Sequence, residues 1–192
     1  MALTPSHMLP LATPAPDFRL PDTVSGQMLD LQTLRGDAAT LVMFICNHCP
    51  YVKHVNPELL RLAADYRPPR LGIVAISSND ASAYPEDSPE AMRETALRLG
   101  YPFPYLHDAS QQVARAYQAA CTPDFFLFDR ELKLAYRGRL DDSTPGNARP
   151  LTGADLRAAI DAVLAGEPPS QQQHPSMGCN IKWTKQVRAD AG

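Results

Sequence analysis

The sequence predicts an α/β domain: a central mixed sheet flanked by helices and preceded by an N-terminal β-hairpin. Three observations predict it. Residues 41–45 and 71–77 are continuous apolar runs of strand length, suited to central strands covered on both faces. Val52, Val55, Leu59, Leu62, Ala63 and Tyr66 recur at helical spacing between them, as one face of a helix packed on a sheet. Further along, the order strand–helix–strand–helix–helix–strand–strand–helix places helices on both faces of one sheet, with a right-handed first crossover. At 192 residues the chain is long enough for one well-packed domain and little more.

Taken in order, residues 1–16 carry four prolines and little periodicity and read as an extended or frayed arm. Ala15-Pro16-Asp17-Phe18-Arg19-Leu20-Pro21 begins order as a short edge strand, Ser25-Gly26 marks a turn, and Met28 and Leu29 the returning strand. Pro50 suits a first helical turn because its missing N–H would be unpaired there anyway. Pro57 is tolerated as an early kink and Pro68-Pro69 stops that helix. Ser88-Pro89-Glu90 supplies an N-cap, a proline at the first helical position and an acid near the dipole; Gly100 ends the helix. Residues 103–106 form a brief strand and 110–117 a short helix. Residues 125–128 and 134–136 flank the turn-like Asp129-Arg130-Glu131 as an antiparallel hairpin. Thr152-Gly153-Ala154-Asp155 has capping-box spacing and opens a last helix closed by Gly166. Beyond Pro168-Pro169, residues 170–173 are polar and expected to be mobile, and 175–183 carry Cys179 and the sole tryptophan, Trp183. The chain thus divides into an arm (1–14), a domain (15–166) and a tail (167–192).

The formal net charge of −3 offers no basic field for nucleic acid or an anionic membrane. Residues 1–17 lack the cationic-then-apolar pattern of a secretory leader, and no window approaches the ~18 consecutive apolar residues of a membrane span. A cytoplasmic location is therefore expected, where thiols are kept reduced. Four cysteines there read as catalytic, metal-bound or merely buried rather than as a structural disulfide framework.

The most informative segment is Cys46-Asn47-His48-Cys49-Pro50, directly after the first apolar run. Two cysteines at this spacing close a small disulfide ring or hold a soft metal, and a strand-to-helix junction favours the redox reading. The helix N-terminus is expected to aim its unpaired N–H groups at the first sulfur. His48, when protonated, would stabilise a neighbouring thiolate; Lys53 and His54 add positive charge nearby. Cys121 reads as a small buried residue that could lie near the active pair. Cys179 has three readings: a second resolving cysteine, a metal ligand, or part of a tail packed through Ile181 and Trp183. Cys46, Cys49, His174 and Cys179 make up a conceivable tetrahedral zinc set if the tail folds back. Tyr51 reads as a shield for the pair or as simple packing. His107-Asp108 reads as a turn or helix cap rather than a dyad, and Asp141-Asp142 as weak evidence of a cation site.

Three motifs together resemble the thioredoxin superfamily, specifically its peroxiredoxin-like, AhpC/TSA-related branch that retains a Cys-x-x-Cys motif. They are Ala15-Pro16-Asp17-Phe18 with residues 31–36, residues 44–50, and Thr122-Pro123 before residues 125–129; the resemblance spans about residues 15–165. It implies a thioredoxin-like fold in which Cys46 attacks a protein or small-molecule disulfide and the more buried Cys49 resolves the mixed disulfide. It further implies a cis Thr122–Pro123 bond facing the pair, with Thr122 offering backbone groups to an extended substrate segment. Electrons would come from a thioredoxin- or glutathione-type donor, with no organic cofactor. A thiolate stabilised by His48 would place the potential above the roughly −270 mV of thioredoxin.

The departures from the family pattern favour disulfide exchange. A typical peroxiredoxin carries Thr-x-x-Cys, with a proline four residues before the threonine and an arginine near the peroxide. Here Cys46 stands at the threonine position, Cys49 at the peroxidatic position and Val42 at the proline position, and residues 119–126 hold no arginine. Hydroperoxide reduction through Cys49, resolved by Cys46 or Cys179, is the alternative; a metal-binding or redox-sensing module is the second.

Overall fold

A computed structural model describes residues 3–66 and 68–184. The five-stranded central sheet is built from β4 (Ala39–Phe44), β5 (Leu71–Ser77), β6 (Tyr105–His107), β8 (Asp124–Asp129) and β9 (Leu134–Gly138), in the order β6-β5-β4-β8-β9. β4 runs parallel to β5, and β5 to β6; β8 is antiparallel to both β4 and β9. Every residue of β4 is buried, as its unbroken apolar run requires of a strand covered on both faces.

Alternation along β4 sorts the core into two halves. Leu41 and Met43 join Val52, Leu59 and Leu62 of α2 (Pro50–Asp65) and Leu156 and Ile160 of α5 (Ala154–Ala165). Val42 and Phe44 join Phe126, Phe128 and Tyr117 on the other face, where Phe44 meets Phe126 edge-on at 5.9 Å. Glu58 of α2, buried between the helices, takes Arg157 Nε of α5 at 2.6 Å and Arg61 Nε at 2.6 Å. That ion pair locks the helix that begins beside the cysteines.

The entry hairpin forms as β2 (Arg19–Pro21) and β3 (Met28–Asp30), followed by a single helical turn, α1 (Leu31–Leu34), capped by Asp30. α3 (Pro89–Leu99) begins at a Ser88 cap and ends at Gly100 in the left-handed region (φ +68°). The short helix α4 (Gln112–Ala116) follows β6. The capping box expected at Thr152 is not formed. Gly153 precedes α5 without a side-chain cap, and Asp141 from another loop accepts the N–H groups of Thr152 (2.7 Å) and Gly153 (2.6 Å) instead.

The arm and the tail, where described, are ordered by pairing with each other. Rather than fraying, Leu3–Pro5 is a strand, β1, paired antiparallel with β10 (Met177–Asn180), which in turn pairs with β7 (Cys121–Thr122). Gln173, in the segment expected to be mobile, accepts from Arg137 N (3.1 Å) and Arg137 Nη1 (3.0 Å) through Oε1. Short two- to four-residue strands carry no periodicity of their own; partners far along the chain define them.

Candidate active site: a buried thiol cluster

The sequence places the cysteines where the central strand stops. Ile45 N–H still bonds to Ile76 O (3.0 Å), and the chain then leaves the sheet through Cys46, Asn47 and His48. The turn at residues 85–87 grips this crossing: Asn47 N–H donates to Asp87 Oδ1 (2.7 Å) and its side-chain amide to Glu86 O (2.7 Å). Helix α2 begins at Pro50, so Cys49, not Cys46, is its N-cap residue. The expectation that the helix start serves the first sulfur is corrected by this offset. The Val52 backbone N–H acts on Cys49.

Around that corner, one residue contacts both sulfurs. Thr122 Oγ1 lies 3.3 Å from Cys46 Sγ, and Thr122 O accepts from Cys49 Sγ at 3.2 Å. The Thr122–Pro123 bond is cis. Cys179 Sγ of β10 is 2.9 Å from Cys49 Sγ, and the two residues are 130 positions apart in sequence. Cys46, Cys49 and Cys179 are 2 %, 0 % and 4 % exposed, so the cluster lies beneath the surface as a whole. Cys121 Sγ turns to Pro123 O (3.6 Å), and all four cysteines are thiols.

The electrostatics divide Cys46 from Cys49. Cys49 is held down to about 4: the Cys46 thiol donates to it, burial opposes, and the Cys179 thiol and the Val52 N–H add further support. The Thr122 carbonyl opposes a charge there, but the donors outnumber it. Cys46 is driven the other way by its bond to Cys49, by burial and by the Asp87 carboxylate. Burial and the bond to Cys49 push Cys179 up to about 12, and burial raises Cys121. Beside them Asp124 is wholly buried; burial pushes its carboxyl up to about 8, and its Oδ1 has no hydrogen-bond partner.

His48 does not act as a lone cation. Its Nδ1 donates to Asp87 Oδ2 at 2.6 Å, and its ring stacks on Tyr84 (centroids 5.4 Å, planes 10° apart). That bond to Asp87 raises the His48 pKa against the pull of burial. For Asp87, burial alone would push upward, yet the bonds from His48, Asn79 and Asn47 hold it below the ordinary carboxylate range. Asn79 then bridges outward: its Nδ2 donates to Asp87 Oδ2 (2.7 Å) and its Oδ1 accepts Lys182 N–H (2.8 Å).

Two further expectations change. The Thr122 strand edge, expected to be open to a substrate segment, is already paired with Cys179 of the chain itself. The zinc set of Cys46, Cys49, His174 and Cys179 does not assemble among the described residues. The metal-competent group among the described residues is Cys46, His48 and Asp87, whose ligand atoms lie within 4.8 Å of one another. Asp141 caps α5, Asp142 pairs with Arg149, and Asp108 accepts from Ser78 and Ala114 N–H. His54 bonds Ser143 Oγ (3.0 Å) and lines, with Tyr51 and Pro123, a cavity of about 100 Å³ beside the cluster.

Sequence reasoning missed Asp87, Asn79 and Tyr84. Asp87 lies in a proline-punctuated turn 39 residues from His48, and only the acid's position before a helix marked it.

This fold and site define a thioredoxin-fold protein with a thiol cluster at the start of the helix after its central strand. The chain belongs to the AhpC/TSA family, whose model matches residues 11–137. It is similar to an uncharacterized conserved protein from Geobacillus kaustophilus (56 % identity, 97 % of this chain and 99 % of that one, TM-score 0.95). It is also similar to a hypothetical protein from Sinorhizobium meliloti (52 % identity, 95 % and 99 %, TM-score 0.92). The thioredoxin domain of a thiol-disulfide oxidoreductase from Bacteroides vulgatus shares the fold (19 % identity, 68 % and 89 %, TM-score 0.57). No curated protein matches the chain. No described helix is long and apolar enough to cross a membrane.

Proposed function

We propose that the protein is a thiol–disulfide oxidoreductase that cycles Cys46 and Cys49 between dithiol and disulfide. The observation that carries this reading is that Thr122, ahead of a cis proline, contacts both sulfurs, its hydroxyl 3.3 Å from Cys46 Sγ and its carbonyl 3.2 Å from Cys49 Sγ.

Transfer of the Cys46 proton to the Cys49 thiolate, against the order of their acidities, arms Cys46. Its thiolate attacks a substrate disulfide, forming one mixed disulfide and releasing one thiolate. Cys49 gives its proton to that leaving sulfur and attacks Cys46 Sγ, which releases the second substrate sulfur as a thiolate. The substrate disulfide is reduced by two electrons, and the Cys46–Cys49 disulfide holds the oxidation until a thioredoxin- or glutathione-type donor returns it. With the Thr122 edge occupied, small disulfides fit this site better than an extended protein segment.

The test is trapping. A Cys49→Ser variant incubated with oxidised glutathione should gain one glutathione on Cys46, and Cys46→Ser should not turn over. A stable adduct on Cys49 with none on Cys46 would reverse the order of attack and refute this mechanism.

Peroxide reduction is the second reading, favoured by the anionic character of Cys49, which occupies the peroxidatic position. Its sulfur contacts Cys46, Cys179, Thr122 and Val52, none of which carries a guanidinium to polarise a peroxide. Loss of thiols on mixing reduced protein with hydrogen peroxide should be no faster than for a simple thiol. Much faster loss would promote the peroxidase.

A further inference from the structure

We propose that Cys179 is a third redox thiol, the internal exchange partner of Cys49, delivered by a strand of the chain's own that occupies the substrate edge at Thr122. The proposal rests on the reading of Cys46 and Cys49 as an exchanging pair. It adds the destination of the disulfide they form.

The placement is built from both sides. Before Cys179, Ser176 N–H donates to Ser6 Oγ (2.9 Å) and Ser176 Oγ to Pro123 O (2.7 Å). After it, Ile181 N–H donates to Ala120 O (3.2 Å) and Lys182 N–H to Asn79 Oδ1 (2.8 Å). Between them the strand passes so close to Thr122 that a Cβ on Gly178 would collide with the Thr122 carbonyl oxygen. Glycine is what lets β10 approach, and the approach sets the Cys179 and Cys49 sulfurs 2.9 Å apart. That separation is slightly shorter than the ~3–3.5 Å of a near-attack arrangement, so no movement is needed to bring the sulfurs into reach. Register completes the picture: Cys179 pairs with Thr122, the residue that contacts both Cys46 and Cys49.

Cys49 is therefore flanked by two thiols. In the oxidised protein, Cys179 loses its proton and its sulfur attacks Cys49 Sγ. The Cys49–Cys179 bond forms, and the Cys46–Cys49 bond breaks with its electron pair passing to Cys46. The proton released by Cys179 ends on Cys46. The exchange is an isomerisation: nothing is oxidised or reduced overall, and no further reagent is consumed. Its result is a protein that stores the oxidation between α2 and β10 while Cys46 is again a thiol.

The experiment oxidises the full chain with one equivalent of diamide, which takes up two electrons and two protons, then quenches in acid and maps linked peptides. Wild-type protein should yield both Cys46–Cys49 and Cys49–Cys179 peptides. Cys46→Ser, with Cys46→Ala as a second variant against misfolding, should lose two of its three remaining thiols and yield only Cys49–Cys179. Adding Cys179→Ser should abolish that link. Wild-type protein with Cys46–Cys49 alone, or a Cys46 variant that links Cys49 to Cys121 or to a second molecule, would overturn the proposal. Cys49–Cys179 alone in the wild type, together with a Cys179→Ser variant that forms no Cys46–Cys49 link, would instead refute the parent dithiol reading and leave this pairing standing.

Discussion

His48 Nδ1 and Asp87 Oδ2 stand 2.6 Å apart, and through that bond the imidazole beside the thiols answers to a buried carboxylate before it answers to either sulfur. Asp87 in turn sets Cys46, whose thiol it helps to keep protonated. A histidine that looked like an isolated cation in the sequence is half of a pair.

The pair makes stability depend on pH in a defined sense. His48 has a folded pKa raised above 6.5, so its contribution is complete below that value and is lost as pH rises through the raised one. Asp87 has a folded pKa below 3.8, so its contribution is present above that value and is lost as pH falls through the lowered one. Asp87→Asn should cost about 1–3 kcal/mol in the window between the two. Urea unfolding of both proteins across pH measures this. An equal gap at every pH would show that the loss is packing and not charge.

Reduced protein should carry a thiolate well into acid. Its ultraviolet thiolate absorbance should disappear with a midpoint near 4 and should be missing from Cys49→Ser. A midpoint near the ordinary 9.0 would remove the anionic Cys49 from the account.

Gly178→Ala should force β10 away from Thr122. Overpacking of this kind costs about 1–3 kcal/mol, and the displaced strand should expose Cys179 to iodoacetamide. Unchanged stability together with unchanged alkylation would mean that the strand does not sit where Gly178 places it.

Asp141→Ala should cost about 0.5–2 kcal/mol, because it removes the carboxylate that receives the first N–H groups of α5. The same change at Thr152 should cost less. Thermal unfolding of the two variants ranks them, and the opposite order would restore the local capping box.

What the sequence determined by itself is the part governed by local burial. The unbroken apolar run at 41–45 could only be a strand covered on both faces, and Ser88-Pro89 with Gly100 marked both ends of α3. The two cysteines were visible because they end that run, whereas Thr122-Pro123 was marked only by the family resemblance, since it meets the cysteines 76 and 73 positions along the chain. Tertiary structure alone decided the rest. Met177–Asn180 became a strand on the edge offered by Cys121–Thr122, and Leu3–Pro5 became one on Met177–Asn180. Asp87 met His48, and Cys179 met Cys49, across stretches of chain that no local pattern spans. The acidity of a thiol follows from donors and charges that several elements bring to it, so which sulfur carries the charge is written in the packing and not in the motif.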